Sequence, residues 1–319
     1  MSSNTVPRRS AEHFVAPVSE TPVAAIDQVK LDDKRSNLWT DAWRDLRHRP
    51  LFWVSVAFIL LFIVVAIAPG LFTQVPPNSQ CVLGNSNGAP TAEHILGYTK
   101  QGCDVFSRIV HGAGASLSVG FLVIAMSGIT GALLGSIAGF FGGWVDSVLM
   151  RLGDIFFSIP YILAAVVIMS VFAAYVNVFV IALAIGAFTW PSTARVMRSE
   201  VLRVKNSDFV MAGTALGQSR IALMFKHVLP NAIAPVIVVT TLSLAAAITA
   251  EATLSFLGVG LPAGVMSWGN DISDAQTDLR SNPATLIYPS IALTITVLSF
   301  VIFGEMLRES LDPKARAQR

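Results

Sequence analysis

Charged residues are scarce in this chain. They make up 13% of its 319 residues, whereas hydrophobic residues make up 53%. Soluble domains contain about 25% charged residues on average, so this composition excludes an ordinary soluble enzyme and also a charged, disordered chain. The net charge of +2 is too small to indicate a nucleic-acid-binding protein. A mean hydropathy of +0.63 indicates a membrane protein instead.

Motifs for nucleotide hydrolysis and metal binding are also missing. None of the six lysines follows a glycine, so the chain lacks the Gly-Lys-Ser/Thr of a phosphate-binding P-loop. It has no HExxH and no CxxC, and its two cysteines are too few for a typical structural zinc site. We therefore predict that this chain has no catalytic residue and binds no metal or other cofactor itself.

Long apolar runs dominate what is present. Six of them are long enough to cross a bilayer of about 30 Å as α-helices. The predicted spans are residues 51–72, 115–141, 147–172, 176–194, 231–257 and 285–307. The third contains Arg151 and Asp154 near its start, and the fourth ends at Trp190-Pro191. The predicted fold class is an all-α membrane protein with six transmembrane helices.

Lys and Arg residues are distributed unequally between the two sides of these spans. With the N-terminus in the cytoplasm, 19 of the 22 fall inside, and only Lys100, Arg108 and Arg280 fall outside. Because cytoplasmic loops carry the excess of Lys and Arg, we predict a multi-pass membrane protein with both termini cytoplasmic. The predicted segments are a flexible tail (1–35), an interfacial segment (36–50), the first span (51–72), an extracytoplasmic loop (73–114), a core domain of five spans (115–310) with a cytoplasmic loop (195–230), and a second tail (311–319).

The interfacial segment has an amphipathic pattern. Trp39, Trp43 and Leu46 fall at i, i+4 and i+7, and arginines lie between them. This pattern predicts a short helix that lies on an anionic membrane surface and contacts membrane lipid. The alternative is an ordinary solvated helix.

The two cysteines, Cys81 and Cys103, both lie in the first extracytoplasmic loop. The cytosol is reducing and the outside is not, so we predict a Cys81–Cys103 disulfide. It would close a loop of about 22 residues and contribute about 3 kcal/mol. The alternative is a pair of free thiols.

Small and ionisable residues inside the spans suggest helix contacts. Gly131, Gly135 and Gly139 repeat every fourth residue, which permits close packing against a neighbouring helix; the alternative is chance in a Gly-rich span. Asp154 can pair with Arg151 on the same helix or serve as a proton relay. Glu251 can face a water-filled path or cap a partner helix.

The cytoplasmic loop has a helix–Gly–helix pattern. Residues 209–216 can form one short helix, Gly217 can adopt a left-handed conformation, and Ser219 can cap a second helix that runs to about His227. Pro230 marks the entry to the fifth span. The apolar residues of this loop are suited to docking in a protein groove; they are Phe209, Met211, Leu216, Met224 and Phe225.

This loop resembles the coupling loop of ABC importer permeases, whose motif is Glu-Ala-Ala, three residues, Gly, nine residues, Ile, any residue, Leu-Pro. The matching residues are Ala212, Gly217, Leu229 and Pro230, and the departures are Met211, Gly213 and His227. Further stretches resemble the peptide/nickel branch: His94-Ile-Leu-Gly97, Gly102-Cys-Asp-Val-Phe-Ser-Arg108, His111-Gly-Ala113, Glu251-Ala-Thr-Leu-Ser-Phe-Leu-Gly258, Ser267-Trp-Gly269 and Leu307-Arg-Glu-Ser-Leu-Asp-Pro313. In the second stretch Cys103 replaces the usual Arg.

The resemblance spans about residues 36–313 and identifies a C-type permease subunit of a dipeptide/oligopeptide ABC importer. It implies the type I importer permease fold, a location in a bacterial cytoplasmic membrane, a B-type permease partner, two cytoplasmic ATPase subunits that bind ATP and Mg, an extracytoplasmic binding protein and a peptide substrate. It also implies alternating access, with Gly217 and the apolar residues beside it in contact with an ATPase. Nickel chelates and glutathione are alternative substrates, and an ion-gradient-driven transporter that uses Glu251 or Asp154 is the alternative function.

Overall fold

The computed structural model describes residues 38–311, and these residues form α-helices joined by turns, loops and short 3-10 helices. The α-helices in chain order are α1 (Leu38–Leu46), α2 (Pro50–Ile67), α3 (Val105–Phe141), α4 (Gly143–Ser158), α5 (Tyr161–Val171), α6 (Val178–Lys205), α7 (Asp208–Ala215), α8 (Arg220–Leu223), α9 (Leu229–Phe256), α10 (Trp268–Ala275) and α11 (Ala284–Leu311). The predicted tail 1–35 lies outside the described residues, as does all of the tail 311–319 except Leu311.

Five helical segments are long and apolar enough to cross a membrane. They are α2, α3, α6, α11 and the continuous segment Arg220–Phe256, which joins α8 to α9 through the π-helical residues Met224–Val228. The helices α4 and α5 form a sixth candidate span that is bent by 78°. The six predicted spans are therefore present, but the third of them is broken.

The helices alternate in direction, which gives the bundle two ends. We call the end that carries the Cys81–Cys103 loop and α10 the disulfide end, and the end that carries α7 and α8 the elbow end. The helix α3 begins at the disulfide end ten residues before the predicted start at 115. It begins there because Asp104 caps it: a carboxylate oxygen accepts a hydrogen bond from the Ser107 N–H at 2.6 Å.

The helix α6 also runs further than predicted. It passes through Pro191 and continues to Lys205, so the predicted loop start at 195 is wrong and the loop begins at Asn206. A proline inside a helix removes one hydrogen bond, but a spanning helix tolerates it where neighbouring helices pack against the site. Pro191 is buried, and Gly153 of α4 lies beside it, where an added Cβ would be 3.5 Å from the proline ring.

The break between α4 and α5 falls at Ile159-Pro160. Pro160 has no N–H to donate, and the residue before a proline is restricted to extended conformations. Ile159 accordingly has φ −92° and ψ 122°. The predicted continuous span 147–172 overlooked this proline, whose effect was available from the sequence.

The row of small residues on α3 faces α6. A Cβ on Gly131 would lie 2.6 Å from the Thr193 Cβ, and a Cβ on Gly135 would overlap the carbonyl oxygen of Ala194. A Cβ on Gly139 would lie 2.9 Å from the carbonyl oxygen of Arg198, further along α6. These glycines let the backbones of α3 and α6 approach closely, which is the packing expected of small residues four apart.

The short helix α1 packs against the elbow end of the bundle. Its residue Ala42 is buried in a cluster with Ala234 and Val238 of α9 and Leu311 of α11, and Leu46 is buried as well. Trp39 and Trp43 lie on the exposed face. One part of the predicted apolar face therefore packs on the protein, and the other part is exposed. Arg49, which follows α1, binds both Asp45 and Glu309 and ties the start of α2 to the end of α11.

Candidate functional site: a helical elbow and two buried carboxylate networks

The segment from α7 to α8 forms a sharp elbow. Gly217 has φ +78°, the left-handed conformation predicted for it. The N–H groups of Gly217 and Gln218 bond to the carbonyls of Thr214 and Gly213, at 3.0 and 3.2 Å, which is a Schellman motif that ends α7. The Ser219 hydroxyl then accepts a hydrogen bond from the Ala222 N–H and caps α8.

The outer face of the elbow is apolar and exposed. Leu216 is 82% exposed, Ile221 64%, and Phe225 54%. The exposed set also includes Phe209, Met211 and Ala212. Exposed apolar clusters of this kind mark interaction surfaces. Ile221 was not among the predicted contact residues, although its position one turn before Phe225 was a usable signal.

The inner face of the elbow packs against the bundle. Met224 is 7% exposed and lies in a cluster with Met197 of α6 and Val236 of α9. The prediction that Met224 contacts a partner is therefore wrong, because the π-helical turn Met224–Val228 directs it inward. Gly213 is buried too, and a Cβ on it would lie 2.8 Å from Leu223. The inner face thus connects the elbow to two long helices.

Two ion pairs join α4 to α6 near the elbow end. Asp154 binds Arg195 at 2.8 Å, and Asp146 binds Arg198 through both carboxylate oxygens at 2.5 and 2.6 Å. The predicted pairing of Asp154 with Arg151 is wrong. The physical reason is the length of α6, which brings Arg195 alongside α4 instead of leaving it in a loop.

A buried carboxylate joins three helices near the disulfide end. Glu251 of α9 is fully buried and accepts hydrogen bonds from Ser116 of α3 at 3.0 Å and from Ser255 at 3.2 Å. A third comes from Ser267, the N-cap residue of α10. Of the two predicted roles for Glu251, the geometry matches a residue that holds partner helices, because every described contact is with the protein interior.

The short helix α10 is held tightly in the resulting groove. The Trp268 N–H donates to the Ser116 hydroxyl at 3.2 Å, and its indole N–H donates to the Ile109 carbonyl at 2.9 Å. Gly269 allows the close approach, since a Cβ there would lie 2.7 Å from the Ala252 Cα. The Ser267-Trp-Gly269 sequence therefore serves to seat α10 between α3 and α9.

A second network joins α10 to α3 and to the first loop. Arg108 is buried and contacts Asp271 at 2.6 Å, Asn78 at 2.9 Å and Asp274 at 3.4 Å. Burial raises the pKa of Asp271 to about 6, and the attraction of Arg108 opposes that rise. One Asp271 oxygen is buried without a hydrogen-bond partner. The sequence analysis missed this network, although Arg108 was one of only three cations predicted to lie outside.

The loop between α2 and α3 is cross-linked at the disulfide end. Cys81 and Cys103 form a disulfide, as predicted. His94 binds Asp104 at 3.0 Å, and Gly97 has φ +74° in the turn that follows. The residues of the predicted outer-loop signature thus build a compact, cross-linked loop. Within residues 38–311, no group of His, Cys, Asp or Glu side chains is arranged to hold a metal ion.

Comparisons with known proteins give this geometry a context. Residues 131–317 match the family model described as binding-protein-dependent transport system inner membrane component, and residues 37–90 match the N-terminal TM domain of oligopeptide transport permease C. The chain is 37% identical to the dipeptide transport system permease protein of Alkalihalophilus pseudofirmus over 88% of its own length and 91% of the relative.

Further relatives and a solved structure agree with these matches. The oligopeptide transport system permease protein of Bacillus subtilis is 35% identical, with 91% of this chain and 94% of the relative covered. A glutathione transport system permease protein of Escherichia coli is 31% identical, with 92% and 95% covered. A chain of the MetNI methionine ABC transporter superposes with a TM-score of 0.50 at 17% identity, over 63% of this chain and 95% of that one.

These findings define a multi-pass permease subunit with the type I ABC importer fold. The chain belongs to the family of binding-protein-dependent transport system inner membrane components, in the branch of C-type peptide permeases.

Proposed function

We propose that this chain forms half of the translocation path of a peptide importer and receives mechanical input from a separate ATPase through the elbow. The single observation that carries the proposal is the two-sided elbow. Its outer face exposes apolar residues, and its inner face packs on α6 and α9. A partner that moves the outer face therefore moves two spanning helices. ATP and Mg would be bound by that partner, because this chain lacks a P-loop.

The assembly inferred from family membership contains a B-type permease, two ATPase subunits and an extracytoplasmic binding protein. We place the elbow end in the cytoplasm and the disulfide end outside. The excess of Lys and Arg at the elbow end supports this orientation, and the disulfide at the opposite end fits an oxidising compartment. Both termini would then be cytoplasmic.

The substrate we favour is a di- or oligopeptide. Relatives named for dipeptide and oligopeptide transport are 34–37% identical, whereas those named for glutathione transport are 31–32% identical. Glutathione is itself a peptide, so it remains the alternative to test first. Transport assays with a dipeptide, a longer peptide and glutathione distinguish these substrates when the cognate binding protein is supplied.

An ion-gradient-driven transporter would need a carboxylate that takes up and releases protons. Glu251 is fully buried and accepts hydrogen bonds from serine hydroxyls, and Asp154 is paired with Arg195. Neither arrangement favours a relay, because each carboxylate already has buried or charged partners. Transport that requires ATP and survives an uncoupler would support the importer. Transport that an uncoupler abolishes would overturn it.

The conformation of Gly217 offers a sharp test of coupling. An added Cβ would meet no atom within 4 Å, so only the positive φ opposes a larger residue. We expect Gly217→Val, which disfavours that conformation, to abolish most peptide-stimulated ATPase activity. Gly217→Asn is the matched control, since asparagine tolerates the left-handed region. Full stimulated activity in Gly217→Val would contradict the proposed role of the elbow.

A further inference from the structure

The break between α4 and α5 interrupts the backbone hydrogen bonds of a spanning segment. Pro160 lacks an N–H, and the last bond of α4 is a long one, from the Ile159 N–H to the Phe156 carbonyl at 3.4 Å. Regular bonding resumes when the Ala164 N–H donates to the Pro160 carbonyl. Several carbonyls of the last turn of α4 therefore need other partners.

This break lies beside a cavity at mid-height in the bundle. Val123, which lines the cavity, is the central residue of α3, which runs from Val105 to Phe141. Ser243 and Thr189 also line it, and each lies near the middle of its own 28-residue helix. The cavity has a volume of about 300 Å³. Its position corresponds to the centre of a bilayer crossed by these helices.

Lipid cannot cover such a break. Irregular backbone occurs at membrane depth only where protein buries it or water reaches it, because each unsatisfied polar group in hydrocarbon costs several kcal/mol. Ser158, Ile159 and Pro160 are all exposed on this chain. In the membrane these residues must therefore face another protein surface or an aqueous space.

The wall of the cavity is mostly apolar, but it also carries hydroxyl groups that water can bind. The hydroxyl-bearing residues are Tyr161, Thr189, Ser192 and Ser243, and the aromatic rings of Phe156 and Phe188 lie beside them. The Thr189 and Ser243 hydroxyls donate to backbone carbonyls of their own helices, at 3.3 and 2.8 Å, and retain lone pairs that can accept. None of the described residues that line the cavity is Asp, Glu, Lys, Arg or His.

We propose that the α4–α5 break and the adjoining cavity line the aqueous path, where hydroxyls and aromatic rings contact the backbone and side chains of a passing peptide. An uncharged wall with acceptors can receive peptide N–H groups whatever the peptide sequence. The identity of the passing molecule rests on the proposed function. The accessibility of the break to water does not depend on the proposed function.

Single cysteines test this assignment in the complete transporter reconstituted in vesicles. The two native cysteines are joined in a disulfide and do not react with thiol reagents. Ile159→Cys is treated with a charged, water-soluble methanethiosulfonate, with and without ATP and vanadate. Leu298→Cys is the matched control, since Leu298 lies at the middle of α11 and is 53% exposed. Ser243→Cys is a conservative second site if Ile159→Cys assembles poorly.

We expect Ile159→Cys or Ser243→Cys to react at least about ten-fold faster than Leu298→Cys in one of the two nucleotide conditions, because ionised thiolate and reagent both need water. Excess transported peptide should slow that reaction. Rates equal to the control in both conditions would overturn the proposal and show that the partner permease covers the break. Fast labelling without peptide transport would retain the path and reject peptide as the substrate.

Discussion

The two ends of this permease differ in what their side chains contact. At the disulfide end, α10 is held by buried networks around Glu251 and Arg108, and the adjoining loop is closed by a disulfide. At the elbow end, apolar side chains such as Leu216 and Phe225 stand exposed on a short, sharply turned segment. The buried networks of the disulfide end join elements of this chain to one another, whereas the outer face of the elbow end is the apolar surface that we propose contacts a partner. Substitutions at the first end should therefore affect folding, and substitutions at the second should affect coupling.

The largest effect on stability is expected at Arg108. Replacing it in Arg108→Met leaves the buried Asp271 without its ion-pair partner, and breaking a buried pair in this way costs about 3–5 kcal/mol. Thermal unfolding of the purified protein in detergent measures the loss. Arg280→Met, at an exposed arginine of the same end, is the control and should be close to neutral. Equal unfolding temperatures for the two variants would show that the Arg108 network is not structural.

The next effect is expected where α3 meets α6. A Cβ in Gly135→Ala would overlap the Ala194 carbonyl, so the two backbones must separate, at a cost of about 1–3 kcal/mol. Gly128→Ala on the same helix is the control, since its Cβ would meet only a Thr240 methyl at 3.1 Å. Unfolding temperatures in detergent compare the two. A smaller loss for Gly135→Ala than for Gly128→Ala would contradict close packing along this row.

The pH dependence of the disulfide end gives a finer test. Because burial raises the pKa of Asp271 from 3.8 to about 6, the folded protein binds a proton that the unfolded chain releases between these values. Protonation of Asp271 therefore contributes in full to the free energy of unfolding below pH 3.8, and this contribution is lost as the pH rises through 6. The contribution is about 3 kcal/mol at most.

The unfolding temperature of the wild type, relative to that of Asp271→Asn, should accordingly rise when the pH is lowered from 7.5 to 4.5. The neutral variant has no carboxylate to titrate at this position and serves as the reference at each pH. A difference that stays constant with pH would mean that Asp271 does not titrate in this range.

The smallest effect on stability, and the largest on coupling, is expected at the elbow. Leu216 is 82% exposed, so Leu216→Asp should change the free energy of unfolding by about 0.5 kcal/mol or less. Peptide-stimulated ATPase activity of the assembled transporter should nevertheless be lost, because the charge disrupts an apolar contact. Leu83→Asp, at a leucine 77% exposed at the other end, is the control for ATPase coupling. Normal stimulation in Leu216→Asp would separate the elbow from the ATPase.

The spans were predicted well because charged residues are excluded from a bilayer, so that a spanning segment can be recognised by its composition. It predicted the elbow equally well, since Gly217 and Ser219 determine local backbone geometry. Helix ends were less predictable. The capping residue Asp104 extends α3 backwards, and packing around Pro191 lets α6 continue past a residue that usually ends a helix.

Pairings between distant residues could not be read from spacing. Arg195 and Asp154 are 41 positions apart, and their pairing depends on the length of α6. Arg108 and Asp271 are 163 positions apart and meet because α10 folds back between α3 and α9. The prediction for Glu251 stayed open for the same reason, since only the tertiary fold brings Ser116 and Ser267 to it.

The most direct test of the central claim is to identify what this chain binds through the elbow. The tagged chain and its Leu216→Asp variant are extracted from native membranes in mild detergent, and co-purifying proteins are identified by mass spectrometry. The account predicts that the wild type recovers a second permease and ATPase subunits, and that the variant recovers the permease but little ATPase. Recovery of the wild-type chain alone, or of equal ATPase with both forms, would contradict it.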